Sequence, residues 1–149
     1  MIESVSTDKE TAQLNMMKII WLGLLFYSGV LVFIAYKVLQ PKEIREAREE
    51  LVLQIVAISA LIASHVVPKI ITKQNAKKKR SDLETIKAAF TPFILSLTTT
   101  ESVVILGLVL VSLTGQPQKI LPFAMAGILN FLFLYPKKEK ILGTSDKIT

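Results

Sequence analysis

Few residues of this 149-residue chain could do chemistry, and the foremost is one carboxyl. Glu101 is the only charge between Ala88 and Thr114 and stands fourteenth of those 27 residues. A charged group at the centre of so long an apolar run costs about 2.5–3.5 kcal/mol on insertion scales and marks a functional site by default. Hydrocarbon favours the neutral acid, which leaves two roles open. Glu101 either locks helices or subunits together through a hydrogen bond, or takes up and releases a proton or ion. When the apolar segments are laid side by side, Tyr27, Ser28, Ser59 and Asn130 fall at similar depth. Of these, Tyr27, Ser59 and Asn130 are the expected members, with Glu101, of an ion-binding site or buried polar contact. Thr98 lies three residues away on the same helix face.

The only histidine, His65, also sits on an apolar segment and reads as an interfacial or packing residue. There is no cysteine, which excludes disulfides and thiolate metal sites. No nucleophile or metal constellation accompanies His65 or Glu101, so neither an enzyme nor a cofactor is expected.

The elements that must carry these residues are apolar helices. The chain is 51% hydrophobic, its mean hydropathy is +0.49, and its net charge of +6 is gathered in the connecting stretches. Apolar blocks run over 19–36, 51–67, 88–114 and 120–135. At about 1.5 Å per residue, the 27-residue block alone reaches roughly 40 Å, more than a hydrocarbon core of about 30 Å. The reading is an all-α integral membrane protein, one domain over 1–149, with four transmembrane helices arranged as two helical hairpins. The spans are placed at about 18–39, 51–72, 88–114 and 119–136. The acidic N-terminal stretch is unlike a basic signal n-region, so the first helix is expected to be retained.

Local signals place the ends. Pro41 opens a charged stretch in which Lys42 and Glu46 are helical neighbours, so the second helix is expected to begin outside the membrane. Ser81 and Glu84 have capping-box spacing before the third helix, and Pro92 is expected to kink or restart it. Gly115-Gln116-Pro117 ends that helix and turns the chain into the fourth. Ala60, Ser64, Gly107 and Gly127 are small residues suited to close helix packing in lipid. Lys77, Lys78, Lys79 and Arg80 form a juxtamembrane basic run suited to anionic headgroups rather than nucleic acid.

The segment Thr100-Glu101-Ser102-Val103-Val104-Ile105-Leu106-Gly107-Leu108-Val109-Leu110 resembles the carboxylate helix of rotary ATPase c subunits and proteolipids. In that family hairpins assemble into rings and the membrane carboxylate binds the translocated ion. The resemblance implies an ion site at Glu101, with Gly107 as a packing residue. The whole pattern also resembles small uncharacterised bacterial four-span membrane proteins, which imply no mechanism. The functional expectation is a membrane protein that self-associates into a homo-oligomer, a ring among the forms considered, in a structural or scaffolding role. Proton or ion translocation through Glu101, and a small proton-coupled exporter, are the alternatives. The expected partners are membrane lipids and further copies of the chain, without nucleic acid.

Thirteen of the 18 basic residues fall at the two termini and in the 69–87 stretch, and five fall on the other side of a four-span arrangement. Cytoplasmic segments carry the Lys and Arg excess, so both termini are expected in the cytoplasm of a bacterial inner membrane. A single cysteine introduced at Gly143 or Asn75 is therefore expected to resist an impermeant thiol reagent in intact cells, while one at Ala47 reacts. The opposite labelling would invert the topology.

Overall fold

The computed structural model describes residues 2–39, 50–75 and 81–146, with side chains over 8–39, 50–72 and 81–142. The charged stretch 40–49, with the expected start of the second helix, and the basic residues Lys77, Lys78, Lys79 and Arg80 lie outside the described residues. All regular structure among the described residues is helical: α1 (Ile2–Lys37), α2 (Glu50–Asn75), α3 (Asp82–Thr114), a 3-10 turn (Pro117–Lys119), α4 (Ile120–Phe133) and α5 (Lys138–Asp146).

Three helices, α1 to α3, are long and apolar enough to cross a membrane. Helix α4 has 14 residues, about 21 Å, and is by itself shorter than that length. The ends of α3 follow from its sequence. Ser81 accepts from the Glu84 amide and Glu84 reaches back to the Ser81 amide, a closed capping box. Gly115 terminates the helix with φ 67°, a left-handed conformation that glycine adopts without steric cost, and its amide bonds the Val111 carbonyl. Pro92 does not interrupt α3, which stays one helix over all 33 residues.

Helix α3 is the axis of the bundle. Half of its most apolar stretch is buried, against 17% for α1 and 11% for α2. Leu14 and Met17 of α1 pack near Ile86, Leu31 near Val104, and Ala35 near Val111, so α1 runs parallel to α3. Ala57 of α2 packs with Val103 and Leu110, while Ser64 meets Ser96, so α2 runs antiparallel. Helix α4 is antiparallel too, with Phe123 and Ile120 beside Gly107, and Gly127 beside Val104. The first two helices run antiparallel to each other, and among the described residues both pack chiefly on α3. Gly107 on α3 and Gly127 on α4 let those two helices approach closely, and Ala57 and Ala60 do the same for α2 on α3.

This alternation gathers the start of α1, the end of α2, the start of α3, the end of α4 and α5 at one end, here termed the terminal end. There Lys138 bridges to Glu10 at 2.9 Å, and that carboxylate, with Asp82 adding to it, holds the Lys138 ammonium above the usual lysine range. At the opposite end Lys119 pairs with Glu50 and ties the turn to α2. The outer surface is apolar, with Leu22, Phe26, Phe33, Ile55, Ile62, Met125 and Phe133 all exposed. Apolar side chains outside and polar ones inside suit a lipid solvent.

The two buried glycines give a sharp packing test. A Cβ on Gly127 would stand 2.6 Å from Val104 Cγ2, and one on Gly107 would stand 2.7 Å from Phe123 Cβ, whereas Gly23 has nothing within 4 Å. Gly107→Ala and Gly127→Ala are expected to destabilise the bundle by about 1–3 kcal/mol through overpacking. Gly23→Ala should be neutral or slightly stabilising in the same denaturant titration in detergent micelles.

Candidate functional site

Glu101 is 5% exposed and faces α1, inside one copy of the chain. The Ser28 hydroxyl donates to its Oε2 at 2.8 Å. Oε1 is also buried and has no hydrogen-bond partner among the described residues. Ser28 Oγ is also 3.2 Å from the Leu24 carbonyl, yet a hydroxyl has one hydrogen to give. The pair therefore has two arrangements. With an ionised Glu101, the Ser28 hydrogen goes to the carboxylate. A protonated Glu101 can donate to Ser28 Oγ, whose hydrogen then goes to Leu24.

A second polar cluster sits on the other side of α3. Asn130 of α4 gives both amide hydrogens, one to Thr100 Oγ1 at 2.7 Å and one to Ser64 Oγ at 3.0 Å. Its Oδ1 lies 2.6 Å from His65 Nε2, which holds that histidine in the tautomer with a hydrogen on Nε2. One amide thus joins α2, α3 and α4. The hydroxyls it engages pass their own hydrogens to helix carbonyls, Ser64 to Leu61 and Thr100 to Ser96.

Pro68 explains another member of this layer. A proline inside a helix lacks the N–H that would bond the carbonyl four residues back, here that of Ser64. The Ser96 hydroxyl of α3 lies 2.8 Å from that carbonyl and 3.0 Å from the Pro92 carbonyl of its own helix, so its one hydrogen can supply the missing donor from a neighbouring helix.

The other residues singled out from sequence lie as follows. Asn130 and Glu101 are both buried, but they face different helices and share no direct bond among the contacts described above. Tyr27 is 46% exposed on the outer face of α1. Ser59 is exposed on α2 and bonds its own helix at the Ile55 carbonyl. Ala60 packs on the core formed by Ala57, Val103, Leu110 and Phe123. Ser64 is a hydrogen-bond partner as well as a small contact. The glycines at 107 and 127 occupy the α3–α4 contact.

Depth in the sequence places Ser28 beside Glu101, but the expected site members do not include it, and Thr100 and His65 are not assigned to the site at all. A signal for the first existed: Leu14, Met17, Leu31 and Ala35 define the buried stripe of α1, and at about 3.6 residues per turn 28 falls at its centre while 27 lies about a quarter turn off it. Thr100 and His65 had no comparable signal, because their role depends on α4 bringing Asn130 between them.

Compared with family models, with curated proteins and with solved structures, the chain matches none.

Asn130→Leu would leave His65 and two hydroxyls without their shared partner. At about 0.6 kcal/mol per interhelical hydrogen bond in membranes, three bonds amount to roughly 2 kcal/mol. Unfolding of the purified protein in mixed micelles should register that loss, while Ser59→Ala should register none.

Proposed function

We propose that this chain is an integral membrane protein in which Glu101 is the working group, a carboxyl that exchanges a proton within the helical bundle. In this reading the 3-10 turn and α4 together complete a fourth crossing, with both termini on the cytoplasmic side. The alternation of helix direction and the gathering of basic residues at the terminal end support that arrangement.

The observation that carries the proposal is the unequal treatment of the two Glu101 oxygens. Oε2 meets Ser28, while Oε1 is buried with no partner among the described residues. A residue kept only to lock helices together is expected to have its polar atoms satisfied, as the Asn130 side chain does. The hydroxyl beside it can serve either protonation state, accepting from the acid or donating to the carboxylate. Proton uptake converts a buried anion into a neutral acid, and the Ser28 hydrogen moves between Glu101 and the Leu24 carbonyl in response.

A second reading, association of copies through α1 into a scaffold, rests on a different observation. Gly23 opens on to empty space and Tyr27, one turn further on, is exposed on the same outer face at the level of Ser28. A phenol facing lipid at that depth would gain from a neighbouring copy.

Reconstituted vesicles separate the two. Under an imposed pH gradient and potential, wild-type protein is expected to pass protons, and Glu101→Gln to abolish the flux while leaving the bundle folded, because an amide does not titrate. A carboxyl-directed carbodiimide should label Glu101 faster at acidic pH, since it attacks the protonated acid. Wild-type vesicles that are tight to protons, together with a native mass of several copies that falls on Gly23→Leu substitution, would replace the first reading by the second.

A further inference from the structure

We propose that the terminal end of the bundle holds a seat for the phosphate of an anionic glycerophospholipid, with Lys137 and Lys140 as its cationic contacts. The seat is a cavity of about 180 Å³ between α1, α2, α3 and the α4–α5 connection. Its walls include Pro68, Thr72, Phe93 and Tyr135, and both lysines line it. It is smaller than the roughly 300–1,000 Å³ of pockets that enclose a drug-sized ligand, so it suits a headgroup with its first methylenes and not a whole lipid.

The level of this cavity argues for a lipid occupant. Trp21 donates its indole N–H to the Phe131 carbonyl at 2.8 Å and meets the Tyr135 ring edge to face, centroids 5.1 Å apart. Trp and Tyr together mark the headgroup boundary of a membrane protein, and Tyr135 is itself a wall of the cavity. Apolar walls beneath a basic rim at that level match the glycerol and phosphate of an anionic lipid. Basic pockets between helices on the cytoplasmic side bind such headgroups generally.

The charges nearby sort in the same direction. Of the lysines at this corner, Lys138 is bonded to Glu10 and feels Asp82. Lys137 and Lys140 both line the cavity and are exposed. Lys140 Nζ donates to the Phe133 carbonyl at 2.8 Å, which places its ammonium at the end of α4 beside the cavity.

The inference rests on insertion of the chain in a bilayer and is independent of what Glu101 does. The test is lipid retention by the full-length protein, extracted in mild detergent and examined by native mass spectrometry with equimolar phosphatidylglycerol and phosphatidylcholine. Wild-type protein is expected to prefer phosphatidylglycerol by about tenfold or more, from two lysines near the headgroup plane. The preference should vanish in the double variant Lys137→Gln/Lys140→Gln and survive in Lys87→Gln, an exposed lysine of α3. Ala89→Trp, which fills the cavity and keeps both charges, should also abolish it. Equal preference in wild type and the double variant overturns the proposal, as does preference that persists in Ala89→Trp. Thermal stabilisation by soluble glycerol phosphate equal to that by the lipid would also overturn it, since the seat would then be for a free phosphate. Flotation of each variant with alkali-washed liposomes reports bilayer insertion separately, so a failure of the membrane reading is distinguishable from a failure of the seat.

Discussion

Hydrocarbon offers no hydrogen bonds, so every polar atom that a membrane helix carries must find its partner inside the protein. On the proposed membrane reading, that constraint organises this bundle around α3. The helix brings Ser96, Thr100 and Glu101 into the interior, and a different neighbour answers each of them. Ser96 serves the Ser64 carbonyl freed by Pro68, Thr100 accepts from Asn130, and Glu101 takes the Ser28 hydroxyl. The apolar clusters add area but little direction, because in lipid a leucine is as well solvated outside the bundle as inside it.

The polar contacts also fix register. Ser28 with Glu101 sets the depth of α1 against α3, and the Asn130 amide sets α4 against both α2 and α3. A slip of one residue in any pair would strand a buried donor or acceptor, at about 1–3 kcal/mol each. Close packing at Gly107 and Gly127 reinforces the same alignment, since the space there admits no side chain. Position and chemistry are thus coupled: the contacts that hold α3 in place also surround its carboxyl.

Within this layer the two polar clusters differ in a way that bears on function. The Asn130 cluster is closed, with each amide atom engaged, and has the properties of a structural joint. The Glu101 pair is open, with one oxygen partnered and the Ser28 hydrogen shared between two acceptors. An element that must change protonation state needs that freedom, and an element that only binds helices together does not.

The all-helical class, the length and apolar character of α1 to α3, the capping box at Ser81 and the left-handed stop at Gly115 were legible in the sequence, because each depends on residues within a few positions of one another. So was the prominence of Glu101, since a lone carboxyl in a 27-residue apolar run needs no neighbour to be noticed. Which residue would meet it was not legible: depth alone offered Tyr27, Ser28, Ser59 and Asn130 together, and depth does not say which way a side chain faces. The packing of α1 parallel to α3 turned Ser28 inward and left Tyr27 outside. Helix α4 carried Asn130 to Thr100 and His65, on another face of α3 from Glu101. The packing of both α1 and α2 on the central helix was likewise a tertiary outcome. Local backbone chemistry decides where a helix begins and ends, whereas the choice among several apolar faces is made only when small residues on one helix admit another.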